Sequence, residues 1–313
     1  SKVINGKDSD ISEATIQRVM EVIEEYNYRP NALARGLVTR QTKTIGLIIP
    51  DISNPFFAST SRGIEDMAKK GGYTVIFCDT DDEKDKEEEA LNVLKEKQVD
   101  GIIYTPTSQT RSHDIVKRCT KSSIPIVVLD RVLKNDRIYM VYLDNMLGGF
   151  LATQYLLEKG HRRIGCITGP CNVHNSHDRF HGYQRALLEA EIEIDQDLIF
   201  EGNYRLDSGF KGACKLIDKG VTAIFACNDM MAYGVYKAAT SRGLKIPDQL
   251  SISGFDDIYT SEILQPSLTS VKQPAYEIRW NGWKELLEDF GERNTLRSPG
   301  DKRTAVSEHT WIG

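Results

Sequence analysis

The stretch Ile45-Gly-Leu-Ile-Ile-Pro-Asp-Ile-Ser-Asn-Pro-Phe-Phe57 decides how this chain is read. Ile45–Ile49 is apolar without alternation, and a polar, turn-forming segment comes directly after it. A strand with one wet face alternates apolar and polar residues, whereas a strand covered on both faces does not. Ile45–Ile49 therefore reads as a strand of a parallel sheet lying between layers of helix. Asp51, Asn54, Phe56 and Phe57 stand just past its carboxyl end.

The same pattern continues along the chain. Near-continuous apolar runs recur at Tyr73–Cys78, Gly101–Tyr104, Ile124–Leu129, Arg163–Thr168, Ala223–Cys227 and Leu250–Phe255. Helical stretches are expected at about 57–70, 84–96, 146–158, 178–189, 206–218 and 229–241, from apolar residues spaced three and four apart. Strand–helix alternation over this length predicts an α/β chain of two doubly wound parallel-sheet lobes, divided near Asp144-Asn145.

Before Ile45 the character differs. Residues 12–27 read as a helix with Ser12 as its cap and Ile16, Val19, Met20 and Ile23 on one face. Pro30 ends that region, 31–37 has modest helical character, and Thr39–Thr44 is a polar linker. Residues 1–44 carry seven bases and six acids, whereas the whole chain has a net charge of −5. That asymmetry points weakly to a nucleic-acid contact at the N-terminal end. Ser1 stands inside a helical pattern, which implies a chain whose natural start is missing.

Composition excludes several classes. No apolar run reaches the length of about 20 residues that a membrane span needs. The six cysteines form no CxxC pair, and several sit in apolar strands, so a reduced cytoplasmic protein is expected. His174, His177 and His181 are irregularly spaced, with no Cys or carboxylate set to complete a metal site. No GxGxxG, P-loop, GxSxG or HExxH motif is present. No catalytic residue, cofactor or metal is therefore assigned.

Ligands of open parallel sheets bind outside the carboxyl ends of the strands. There the chain places Asp130-Arg131 after Ile124–Leu129, Asn228-Asp229 after Ala223–Cys227, and Asp256-Asp257 after Leu250–Phe255. Carboxylates accept from hydroxyls, amides and guanidinium groups donate to them, and aromatic faces cover the apolar side of a sugar ring. For any one of these residues a turn or helix cap is the competing explanation.

Together these segments resemble the lactose-repressor (LacI/GalR) family. The resemblance is carried by Ser1–Gly6, Tyr28–Leu37, Ile45–Phe57, Asp130-Arg131, Gly160–Gly165, Asp178–Tyr183, Phe225–Asp229, Gly254–Asp256 and Gln273-Pro274. It implies a core like the periplasmic sugar-binding proteins. It also implies an all-α helix-turn-helix headpiece, here a remnant that would bind operator poorly. The implied domains are 1–37, headpiece remnant and hinge helix; 38–44, linker; 45–143 with about 273–313, first effector lobe; and 144–272, second effector lobe. The similarity is strongest to ribose operon repressors. It implies an effector set of Asn54, Phe56, Phe57, Asp130, Arg131, Arg179, Tyr204, Asn228, Asp256 and Gln273. Tyr204 departs from the Phe common there. On the DNA side the resemblance implies Ser1, Lys2, Asn31, Ala34 and Leu37, with Leu37 as a minor-groove wedge.

The resemblance thus implies a homodimeric repressor that binds operator DNA and answers to a small sugar, ribose, which weakens that binding. One alternative is a catabolite-control regulator answering to a phosphorylated carrier protein. The other is a sugar-acting enzyme. Arg279–Trp283 and the tail from Glu292 do not resemble the family's closing helix and strands, which puts the last strand of the first lobe in doubt.

Overall fold

A computed structural model describes residues 11–26, 41–107, 112–131, 138–273, 280–287 and 303–306. The DNA-facing set Ser1, Lys2, Asn31, Ala34 and Leu37 lies outside them, as does the polar tail up to residue 302.

The strands form two sheets, and every pairing in both is parallel. The first holds β1 (Thr44–Ile49), β2 (Thr74–Asp79), β3 (Gly101–Tyr104), β4 (Ile126–Leu129), β5 (Tyr139–Leu143) and β11 (Arg303–Val306), in the order β11-β5-β4-β3-β1-β2. The second holds β6 (Ile164–Thr168), β7 (Ile199–Glu201), β8 (Ala223–Ala226), β9 (Ser251–Asp256) and β10 (Thr269–Lys272), in the order β10-β9-β8-β6-β7. The helices are α1 (Glu13–Glu25), α2 (Pro55–Lys70), α3 (Lys84–Glu96), α4 (Ser112–Lys121), α5 (Asn145–Glu158), α6 (His174–Glu189), α7 (Leu206–Asp218), α8 (Asp229–Ser241) and α9 (residues 280–287).

β1 shows why its apolar run does not alternate. Ile45, Leu47 and Ile49 pack with Ile64 and Met67 of α2, while Ile48 packs with Leu91 and Leu94 of α3 on the other face. Both faces are dry, so both need apolar side chains. α2 starts where it does because Asn54 Oδ1 accepts from Phe56 N–H and Pro55 occupies the first turn, where its missing N–H costs nothing. Leu94 fills the notch left by Gly46, where a Cβ would overlap it. Leu94→Ala would open that contact at about 2–5 kcal/mol.

In the second lobe the helices pair through glycines. A Cβ on Gly149 of α5 would overlap the Arg179 carbonyl of α6, and one on Gly182 of α6 would overlap the Met146 carbonyl of α5. Gly209 of α7 and Gly234 of α8 meet the backbone of the facing helix in the same way. Only glycine permits so close an approach of backbones.

One expectation needs correction, and one doubt is lifted. Ser12 stands at the N-cap of α1, but its hydroxyl bonds Thr15 Oγ1 and not a backbone N–H. No residue of α1 is buried, and Met20 is exposed. The C-terminal segment does close the first lobe. Trp283 and Leu286 of α9 join the core beside β1, Trp283 lies edge-on to Tyr73, and β11 pairs with β5.

Candidate functional site

The carboxyl ends of both sheets face one cavity of about 310 Å3. Every residue of the expected effector set lines it: Asn54, Phe56, Phe57, Asp130, Arg131, Arg179, Tyr204, Asn228, Asp256 and Gln273. Asp51, Asp81, Asp82, Glu83, Asn175, Asn203 and Arg205 line it as well.

On the first lobe, Phe56 and Phe57 pack edge to face, ring centroids 5.2 Å apart. Asp130, at φ 65°, ends β4 in a left-handed conformation that turns the chain at the sheet edge. Asp130 and Arg131 both reach the cavity, but each bonds a different partner. Arg131 Nη1 bonds Asp82 Oδ1 at 2.7 Å and the Pro106 carbonyl at 2.7 Å. Asp130 Oδ1 accepts from Asn175 Nδ2 of the other lobe at 3.1 Å. Burial pushes the Asp130 carboxyl up, against the pull of Arg179 and Arg131.

On the second lobe, Arg179 projects from α6. Its Nε donates to Asn145 Oδ1 at 2.8 Å and its Nη1 to the Cys227 carbonyl at 2.6 Å. Its guanidinium lies 3.6 Å from the Phe255 ring centroid and 3.6 Å from Asp256 Oδ1. Asp256 also accepts from Gln273 Nε2 at 2.6 Å. Burial pushes Asp256 up despite Arg179, with Asp229 and Asp130 adding to the rise. Tyr204 has φ 64°, and its ring covers Gly169, where a Cβ would overlap it. Asn228 caps α8 through Oδ1 and donates Nδ2 to the Tyr204 carbonyl at 3.0 Å.

Capping and lining are thus compatible in Asn54 and Asn228. Both arginines also hold ion pairs within their own lobes while facing the cavity. Asp229, at the edge in sequence, turns away from the cavity and bonds Ser261, Ser270 and the Ile258 N–H. Among the described residues, Asn175 Oδ1, Gln273 Oε1 and Tyr204 Oη are buried without a hydrogen-bond partner. Such atoms are costly unless something supplies the missing bond.

Sequence reasoning missed Asp82 and Asn175. Asp82 comes soon after the run ending at Cys78, so the strand-end rule applied to β2 would have found it. Asn175 stands one helical turn before Arg179, on the same face of α6.

The six cysteines are free. Among the described residues no group of three or more His, Cys, Asp or Glu is arranged to hold a metal ion, and no helix is long and apolar enough to cross a membrane.

Comparison with known proteins gives the family. Residues 42–279 match the model for periplasmic binding proteins and the sugar binding domain of the LacI family, and residues 1–31 match that for bacterial regulatory proteins of the lacI family. Catabolite control protein A of Priestia megaterium is 41% identical over 301 residues, covering 95% of this chain and 90% of that one. The ribose operon repressor of Halalkalibacterium halodurans is 39% identical over 317 aligned residues, covering 100% and 93%. A LacI family transcriptional regulator from Enterococcus faecium, solved with bound ribose, superposes with a TM-score of 0.73 at 31% identity, covering 84% and 95%. These relatives are regulators, not enzymes. The chain belongs to the LacI family of bacterial transcriptional regulators, and its core has that family's two-lobed, periplasmic-binding-protein-like fold.

Proposed function

We propose that this chain is a sugar-responsive repressor whose effector is ribose, and that ribose weakens its grip on operator DNA. The observation that carries this is the cavity, which brings together from both sheets every residue of the expected effector set. Phe56, Phe57 and Tyr204 would cover the apolar faces of the furanose or pyranose ring. Asp130 and Asp256 would accept from its hydroxyls, and Arg131, Arg179 and Asn54 would donate. Asn228 and Gln273 complete the second-lobe side. A site so supplied rejects analogues that lack a hydroxyl, because its own polar groups would be left unpaired. The regulator from Enterococcus faecium, similar in fold, was solved with ribose bound.

In this reading residues 45–143 with 273–313 and residues 144–272 act as the two effector lobes, and the protein works as a homodimer. A ligand shifts an equilibrium only through its differential affinity for the two states. Ribose bound by both lobes favours their closed arrangement, which alters how the hinges before Thr44 are presented to DNA. Ser1, Lys2, Asn31, Ala34 and Leu37 are the proposed DNA contacts. The test is a thermal-shift panel of pentoses and hexoses: ribose should give the largest rise in melting temperature.

A second reading draws on the 41% identity to catabolite control protein A. In it, a phosphorylated carrier protein is the partner. Retention of such a carrier on the immobilised chain, with no thermal shift from any free sugar, would favour it.

A further inference from the structure

We propose that Glu87 is a positioning residue of the cleft, setting through the turn after β3 where Arg131 reaches into the cavity; this rests on the sugar-binding reading above. Glu87 lies in α3 inside an acidic run. Asp85, Glu88 and Glu89 of that run are exposed, whereas Glu87 is 1% exposed. A carboxyl group is not buried without hydrogen bonds to offset lost hydration. Glu87 Oε1 has two: the Tyr104 hydroxyl donates to it, and so does Thr107 N–H at 2.9 Å.

Both donors flank Pro106, whose carbonyl receives Arg131 Nη1 at 2.7 Å. Proline has no N–H of its own with which to anchor the turn. Thr107 supplies the adjacent N–H, and Glu87 takes it. The same Arg131 nitrogen bonds Asp82, in the loop that leads into α3. Arg131 is therefore held between two acceptors, one before α3 and one after β3, and Glu87 ties these segments together. Glu87 itself does not line the cavity. Burial pushes its carboxyl up, opposed first by the hydrogen bonds from Tyr104 and Thr107 and last by the positive charge of Arg131.

A purely structural Glu87 makes a different forecast. Glu87→Leu deprives the Tyr104 hydroxyl and the Thr107 N–H of this acceptor, a cost in stability that follows whatever the role of Glu87. With a purely structural role, the substitution would leave sugar affinity alone, or change it regardless of residue 131.

The experiment measures D-ribose binding by calorimetry, and the melting temperature, on the full chain. Glu87→Gln and Glu87→Leu are compared in the wild-type and Arg131→Lys backgrounds. Glu87→Leu should weaken ribose by about tenfold or more, and Glu87→Gln, which keeps an acceptor for Thr107, by no more than about threefold. In the Arg131→Lys background the Leu penalty should shrink to about threefold or less, because its route runs through the guanidinium. Wild-type affinity in Glu87→Leu, or an equal penalty in both backgrounds, would overturn the proposal. If Glu87→Leu does not fold, Tyr104→Phe replaces it. A loss confined to the wild-type background supports the proposal, and no loss overturns it. If the wild-type chain binds no sugar, the sugar reading fails separately. Glu87 is then judged on ligand-free melting temperatures: coupling between positions 87 and 131 supports positioning, and additivity overturns it.

Discussion

Asn175 donates from Nδ2 to Asp130 Oδ1 at 3.1 Å, and this hydrogen bond crosses from the second lobe to the first. Both residues are buried, and both line the cavity. At the mouth, Arg205 of the second lobe stands 3.6 Å from Asp51 of the first, with Arg205 largely exposed. The two contacts differ in kind. The first is a shielded hydrogen bond to a carboxylate; the second is an ion pair whose arginine lies largely in solvent.

Asn175→Ala should therefore weaken sugar binding where Arg205→Ala barely does. A hydrogen bond to a charged group contributes about 1.5–3 kcal/mol, so Asn175→Ala should lower affinity by roughly tenfold or more. An exposed pair contributes about 0–1 kcal/mol and is screened by salt. Calorimetry at two ionic strengths checks both. An Arg205→Ala loss larger than that of Asn175→Ala would reverse the assignment.

Arg179→Ala should abolish sugar binding, and it should also lower the melting temperature. Arg179 satisfies Asn145 Oδ1 and the Cys227 carbonyl while stacking on Phe255. Its removal takes a donor from those groups in the interior and leaves Asp256 without its cation, held by Gln273 alone. Breaking a buried charged contact costs about 3–5 kcal/mol. Calorimetry and thermal melting together decide the point. Unchanged affinity would take Arg179 off the site.

Asp256 makes stability fall as pH rises. Its folded-state pKa is raised by burial, with Asp229 and Asp130 reinforcing the effect. Between the unfolded value of about 4 and that raised value, the folded state holds a proton the unfolded state has lost. The group's contribution is thus fully present at the acid end and is lost as pH climbs through the folded value. Asp256→Asn removes this dependence. The melting temperature of the ligand-free variant minus that of the wild type should grow from pH 5 to pH 8. A pH-independent difference would contradict it.

Gly182→Ala should separate α5 from α6 and lower the melting temperature by several degrees. The added Cβ meets the Met146 carbonyl, which is backbone and cannot swing away. Overpacking of this kind typically costs about 1–3 kcal/mol. Since α6 carries both Asn175 and Arg179, sugar affinity should fall too. A variant with wild-type melting and affinity would show that the helices have room to spare.

How much of this is legible in the sequence depends on where each element lies. Among the central strands, β1, β3, β4, β6, β8 and β9 are buried on both faces and read as continuous apolar runs, whereas β5, nearly as buried between β4 and β11, is not among the runs read. The edge strands β7 and β10 are partly exposed and short, so Ile199–Glu201 and Thr269–Lys272 present no such run. α4 is only ten residues long, with Ile115, Val116 and Cys119 as its apolar residues, so it offers too short a stretch to be read as a helix. α6 begins at His174, four residues ahead of expectation, because no capping side chain marks its start. At the site, residues at strand ends are legible because parallel sheets place them at one edge. Asp82 follows β2 and falls under the same rule, but it reads, like Glu87, as a member of a solvated acidic run. Glu87 shares the buried face of α3 with Ala90, Leu91 and Leu94, whereas Glu88 is exposed.

The most direct test of the central claim is titration of the chain with D-ribose by calorimetry, beside glucose, cellobiose and a purine base. Saturable one-to-one binding of ribose is expected, at least about tenfold tighter than any of the others and lost in Arg179→Ala. No heat with ribose while another of these ligands binds would contradict it.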